Sequence, residues 1–568
     1  MIREKSIVLS CVVIALFVLA TVFFSGCKGK KAEEAEAVAA LELAPDIKER
    51  LAQFSPTEIT FDESLLNDEQ KQVLEKLVMA AKYMDRIFWK QASHIGLDVL
   101  EELKKSADPA AQYAMRYMKI NFGPFDRLDE NRPFVGTEPK PSGAGFYPPD
   151  LTKDFFQGYV EGNPEKKEEL ESHFTVVKKE DDSLVGVPYS EAYREELEPA
   201  AKHLREAAEI TTNASLKAYL TQRAEDLLQN DYYKSDCLWI DLEGNLVEIV
   251  IGPYEVYEDN LLGIKAAYES FVYINDLEEM KKIKGYLDYL AEMQKMLPVE
   301  QKYKDMKVAG LKSPLNVVLL AYSAGDTKAG VQTLAFVLPN DERIREEKGT
   351  KKVFLKNVME AKFNKALIPI SEQVLSPEDA AHVSFYAFFT ETMLHEICHA
   401  LGVNYVTLPD GSRVTVNKAL GKLYSHIEEC KATIVGMNNV PFLIEKGLIP
   451  PDKEKEIYST YLAGMFRSIR FGAHEAHGMG SLMQLNFHRE TGAFIYDEET
   501  GKFRVDAEKI KDSVKAMAQK ILILEGDGDY SKAEEFIGRY GKIDEVIQRT
   551  IDKLGDIPVD IEPIFKFD

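Results

Sequence analysis

At 568 residues the chain has room for roughly two to four compact units or one large bilobal protein. Its 45% hydrophobic and 29% charged content is that of a globular protein with a sizeable core, which excludes a fibrous or disordered chain. A formal net charge of -24 without a basic patch excludes nucleic acid as a partner and suits a neutral or cationic substrate.

The first segment carries Arg3 and Lys5, an apolar run from Ile7 to Phe24, then the small residues Ser25 and Gly26 ahead of Cys27. Charged, apolar and small segments in that order predict a secretory signal over residues 1–26. The ending FSGC resembles the lipobox of bacterial lipoproteins, which implies that Cys27 is acylated and that the lipid is the only membrane contact. The competing reading is an uncleaved anchor, since the run is nearly long enough to span a bilayer. Either way the body of the chain lies outside the cytoplasmic membrane, in a bacterial periplasm, at an outer membrane or on a cell surface. Residues 27–45, charged and alanine-rich, read as a tether. Cys11 leaves with the signal and Cys27 takes the lipid, so three of the five cysteines remain. Cys237, Cys398 and Cys430 are too scattered for a disulfide framework, although the last two fall inside the motifs below.

From Pro45 to Asn230 most segments have helical spacing, as in DEQKQVLEKLVMAAKYMDRIFWKQA. A Pro- and Gly-rich loop over residues 121–150 interrupts them. LWIDLEGNLVEIVIGPYEVY reads as two strands turned at Glu243-Gly244-Asn245, and SFVYIND, LNVVLLAYSA and VQTLAFVLPND read as further strands. From Ser376 to Leu524 the pattern is mainly helical again. The fold class is therefore mainly α with a smaller β region (α+β).

The stretch SPEDAAHVSFYAFFTETMLHEICHALG contains an HExxH string, which needs helical context to count as a metal site. Ser376 suits an N-cap, Pro377 the first helical position, Glu378 and Asp379 the first turn, and Gly402 the C-terminal stop. On such a helix His395 and His399, four apart, share one face, and Glu396 leans toward the same side. A catalytic zinc needs a third protein ligand and an open position. Downstream, NKALGKLYSHIEECKATIVGM is helical and carries Glu428, Glu429 and His426. Glu429 is the predicted third ligand, and Glu428 the partner that orients a histidine ring.

HEICH followed by EECKA at 428–432 resembles the dipeptidyl peptidase III family of zinc exopeptidases, in its bacterial branch and with the shorter HExxH form. Three further blocks carry the same resemblance: IGPYEVYEDNLLGIKAAYESFV at 251–272, LPNDERIR, and RFGAHEAHGMG. The resemblance implies one zinc ion held by His395, His399 and Glu429, with Glu396 as general base. It implies Tyr257 and His477 as donors to the oxyanion, His474 being the alternative to His477. Glu255 and Asn340 would hold the free amino group of the substrate, so that dipeptides leave from the N-terminus of oligopeptides by metal-activated water attack. Most relatives have HExxGH and an acidic residue where Thr433 stands here. Losing such a partner typically costs ~10–100-fold in metal affinity or activity.

The family's architecture implies two lobes around a wide cleft. Residues 46–366 would form the mixed helical, substrate-binding lobe with a small β-barrel, residues 367–540 the helical zinc lobe, and residues 541–568 a C-terminal segment. Two rival functions stand beside the exopeptidase: a glutamate-zincin endopeptidase, and a lipid-anchored peptide-binding protein with a vestigial zinc site. The sequence is silent on oligomeric state.

Overall fold

The computed structural model describes residues 41–181, 183–304, 314–408, 411–470, 472–473 and 475–568. The predicted signal, Cys27, most of the tether and His474 lie outside the described residues. Among the described residues no helix is long and apolar enough to cross a membrane.

Five strands make the largest sheet: β1 (Val247–Glu255), β2 (Ala267–Asn275), β3 (Leu315–Gly325), β4 (Ala335–Leu338) and β5 (Lys351–Leu355). Their spatial order is β1-β2-β3-β5-β4. The first three run antiparallel, β5 lies parallel to β3, and β4 pairs antiparallel with β5, with Lys352 opposite Val337. The order has two ends, so the expected small barrel is an open half-barrel with β4 on one edge. β1 and β2 are buried at nearly every position, which explains why they read as continuous apolar and aromatic runs rather than alternating ones. Helix α1, Asp68–Ala92, packs across this sheet, and α2, Arg194–Ile210, packs on α1. α1 starts at a capping box in which Asn67 and Gln70 satisfy each other's backbone N–H groups. Its Val73, Leu74, Leu77, Val78, Met84 and Phe88 follow helical spacing into one core with the sheet.

A second core is built by helices α3 (Phe385–Cys398), α4 (Tyr424–Glu445), α5 (Glu454–Ile469) and α6 (Ala476–Glu490). The helices spanning 277–296 also pack into it, through Ile283, Tyr286, Leu290 and Met293. The chain end returns to the first core: strand Asp560–Phe565 lies parallel to Phe54–Ile59. The architecture is a two-lobed α+β fold.

Two expectations are corrected. The single helix expected from Ser376 to Gly402 is broken. Ser376 caps only one turn, Pro377–Ala380, and Ser384 caps α3 afresh. The cause is Asp379, whose carboxylate accepts from Ser376 and Ser459 hydroxyls and from the Val505 N–H, holding the first turn to other elements. The second correction concerns LWIDLEGNLVEIV. Leu238–Ile240 end a helix, Tyr233–Ile240, and the turn at Gly244 joins that helix to β1, so no hairpin forms there. A short apolar run cannot distinguish buried helix from buried strand by periodicity alone.

Candidate metal centre and active site

α3 ends at Cys398, with His399 as its C-cap. His395 and His399 therefore sit one turn apart at a helix terminus, and their Nε2 atoms are 3.1 Å from each other. α4 packs alongside α3 and brings Glu429 to them. Glu429 Oε2 is 3.1 Å from His395 Nε2 and 4.0 Å from His399 Nε2. Close packing of the two helices is permitted by Gly436, where a Cβ would meet Leu394 at 3.3 Å.

Both rings are oriented from behind. The Thr433 hydroxyl donates to the Glu429 carbonyl at 3.3 Å, so its oxygen accepts from His395 Nδ1–H at 2.9 Å. His399 Nδ1–H donates to Glu428 Oε1 at 2.6 Å. With the proton of each ring on Nδ1, both Nε2 lone pairs face the same point. Lys431 ties this arrangement to the backbone. It pairs with Glu428 at 2.8 Å and donates to the His399 and Leu401 carbonyls, each at 3.1 Å, where α3 leaves its last acceptors open.

Electrostatics agree with the geometry. Burial pushes the His395 pKa below that of an ordinary imidazole, keeping the ring neutral. Burial works against the Glu428 carboxylate too, but Lys431 and His399 outweigh it and hold its pKa at about 2. Glu429 is likewise held well below the usual range by His395 and His477, against burial. His477 Nε2 is 3.1 Å from Glu429 Oε2, and that carboxylate raises the His477 pKa.

The residues fit a metal ion. Glu429 Oε2 is buried, with the His395 and His477 Nε2 atoms each 3.1 Å from it and neither aligned for a hydrogen bond. Two imidazole lone pairs and one carboxylate oxygen, all within 4.8 Å of one another, converge on one point. Donors bonded tetrahedrally to one ion at ~2.0–2.1 Å stand roughly 3–3.5 Å apart, close to the separations found here.

Glu396 lines the same cavity, of about 380 Å³, as His395, Glu429 and His477. Its carboxylate is ion-paired with Lys352 on β5. Burial acts to raise the Glu396 pKa, but Lys352 and His395 outweigh it and keep the group ionised below the ordinary carboxylate range. Residues Thr333, Leu334 and Ala335, leading into β4, form another wall.

Glu255, Tyr257 and Asn340 line a second cavity, of about 660 Å³, rather than the first. Asn340 Nδ2–H donates to the Tyr254 carbonyl at 3.0 Å and to Glu255 Oε1 at 3.3 Å. A bulge between Pro253 and Glu255 sets Glu255 at the end of β1. Tyr257 is 80% exposed and is not brought to the metal cluster. β4 connects the two cavities, with Ala335 at the first and Asn340 just past its end at the second. Cys398 and Cys430 are buried free thiols, as Cys237 is a free thiol, so no bridge joins the two motifs. Burial pushes the Cys398 pKa up to about 12, which leaves it inert.

Sequence reasoning missed Lys352, Lys431, Glu391 and Arg467. Lys431 had a signal, three residues after Glu428 on one helix face, and Glu391 had one, four residues before His395. Lys352 and Arg467 come from distant segments and had none.

Residues 162–412 match the profile of peptidase family M49. The chain is similar to a solved structure of dipeptidyl peptidase III from Caldithrix abyssi, at 49% identity and a TM-score of 0.88, covering 91% of this chain and 99% of that one. It is similar to dipeptidyl-peptidase III from Corallococcus sp. strain EGB at 41% identity and a TM-score of 0.74, covering 92% and 97%. A further relative is "Nudix hydrolase 3" of Arabidopsis thaliana, 36% identical over 573 residues, covering 91% of this chain and 74% of that protein.

Proposed function

The chain belongs to the dipeptidyl peptidase III family, peptidase family M49, and is a dipeptidyl-peptidase metallopeptidase; from that premise we propose that it uses one zinc ion to release dipeptides from the free N-terminus of oligopeptides. The observation that carries this reading is the convergence of Glu429 Oε2 on two imidazole nitrogens whose protons are held elsewhere. Two histidines and a glutamate are a donor set typical of catalytic zinc.

Zinc held there would supply a Lewis acid that polarises the scissile carbonyl and acidifies water. Glu396 takes a proton from the attacking water and delivers it to the leaving nitrogen. His477 donates to the oxyanion, and closure of the lobes over the peptide brings Tyr257 to it as a second donor. Glu255 and the Asn340 side-chain carbonyl receive the substrate ammonium.

One observation favours the runner-up, a peptide-binding protein with a vestigial site: Lys352 occupies the proposed base. An endopeptidase would share the metal but not the amino-terminal anchor. Purified, metal-analysed protein incubated with free and N-acetylated oligopeptides, with products read by mass, separates all three. Exopeptidase activity requires loss of two residues at a time from free peptides only, and none from Glu396→Ala. Metal without product supports the binding protein; equal cleavage of acetylated peptides supports the endopeptidase. We also propose that Cys27 carries the lipid and holds the enzyme outside the cytoplasmic membrane. Fractionation of cells expressing wild type and Cys27→Ser tests this, soluble wild type being the adverse result.

A further inference from the structure

Glu391 and Arg467 face the metal cavity and take no part in the proposed chemistry. Glu391 lies one turn before His395 on α3, so its side chain points along the same face. Its Oε2 is sealed from solvent and has no hydrogen-bond partner. Gly464 of α5 leaves space beside it: a Cβ there would meet only the two Glu391 carboxyl oxygens, at 3.7 and 3.9 Å. Arg467, one turn further along α5, stacks toward the Phe388 ring at 5.9 Å. Among the described residues no carboxylate lies within ion-pair distance of its guanidinium. Asp560, which lowers the cost of its burial, is bonded instead to Lys362 at 3.0 Å and to the Gln332 N–H at 2.6 Å. A guanidinium without an acceptor and a carboxyl oxygen without a partner thus share one wall of a reaction chamber. Leaving the Glu391 oxygen unmet is costly, and a ligand carboxylate would give the Arg467 guanidinium the acceptor it lacks.

The position along β4 says which part of a substrate reaches them. If the ammonium is held near Asn340, a peptide following the free edge of β4 runs toward Ala335 and Thr333, which line the same cavity as Arg467. The residues beyond the cut enter it.

We propose that Arg467 and Glu391 form a specificity subsite that takes a carboxylate on the leaving half of the peptide, Arg467 pairing with it and Glu391 bonding a neighbouring polar group. This rests on the dipeptidyl-peptidase reading of the site. Burial pushes the Glu391 pKa up to about 8 against the pull of Arg467, so the group does not repel an incoming anion at neutral pH. The carboxylate has two sources, the C-terminus of a short peptide or an acidic side chain just after the cut.

The test compares kcat and KM of the zinc-loaded, full-length enzyme on a tetra-alanine acid and its amide, and on hexapeptide amides with Glu or Gln at position three or four. Wild type is expected to favour the acid, or the Glu peptide, by about tenfold, chiefly in KM. Preference for the acid alone identifies the terminus as the source, and preference for Glu identifies the side chain. Arg467→Met is expected to bring the ratio near one, while Arg467→Lys keeps part of it. Wild type that releases dipeptides from all of these peptides without preference overturns the subsite and leaves the peptidase reading standing. A preference that survives in Arg467→Met also overturns it. Because the first comparison needs no variant, misfolding of Arg467→Met cannot rescue the proposal.

Discussion

The ammonium of Lys352, on the strand beside the sheet's edge, is ion-paired with the carboxylate of Glu396 on the metal helix. One lobe thus holds the proposed general base of the other. For Glu396 to accept a proton from water, the pair has to loosen without leaving the carboxylate protonated. Lys352 and His395 hold its pKa down against burial. Lys352→Met should therefore let Glu396 protonate at higher pH. The acid limb of the kcat/KM profile would move to higher pH. A limb that stays in place would mean that some other group titrates there.

The oxygen of Thr433 accepts from His395 Nδ1–H at 2.9 Å. It supplies an acceptor without a charge. Thr433→Val, nearly equal in shape, removes the acceptor and frees the ring to rotate. Its affinity for zinc, measured by competition with a chromogenic chelator, should fall about 10-fold or more. An unchanged affinity would show that packing alone fixes His395.

How much of this was legible in the sequence depends on distance along the chain. His395 and His399 could be read because helical spacing puts i and i+4 on one face, whatever surrounds them, and Glu428 and Glu429 because a catalytic zinc needs a third protein ligand and an oriented ring. The helix boundary was misread because Asp379 is held by Ser459 and Val505, residues invisible to any local pattern. Lys352 escaped for the same reason: nothing in KKVFLKNV announces that its second lysine faces Glu396. Glu255 and Asn340 were named from resemblance alone, and their shared hydrogen bond joins the ends of β1 and β4, which lie at opposite ends of the strand order. Tyr257, named in the same way, is at the surface, far more exposed than a group acting on a buried oxyanion would be in a closed site.

The Asn340–Glu255 hydrogen bond of 3.3 Å makes the proposed ammonium anchor a coupled unit. Glu255→Gln keeps the shape but removes the charge opposite a substrate ammonium. KM for peptides with a free N-terminus should rise about 10–100-fold with a smaller change in kcat, since a charge-assisted bond is lost from the ground state and transition state alike. N-acetylated peptides, which bring no ammonium, should respond far less. A KM unaffected by the substitution would place the anchor elsewhere.

Glu391 makes a separate prediction about stability. Its pKa is pushed up to about 8 by burial, Arg467 pulling the other way, whereas in the unfolded chain it titrates near an ordinary ~4.3. Between those values the folded protein keeps a proton that the unfolded chain has released. The folded state therefore loses stability as pH rises from about 4.3 to about 8, and below that window the group imposes no such cost. Glu391→Gln removes the titration while keeping most of the volume. In metal-free protein, so that zinc occupancy does not vary, the variant should match wild type near pH 4.5. By pH 8 its apparent Tm should exceed the wild-type value by about 1–3 °C. Melting both proteins across that range by circular dichroism decides it. A difference in Tm that does not grow with pH would mean that Glu391 is ionised in the folded state throughout, already paired with Arg467 in a closed form of the cavity.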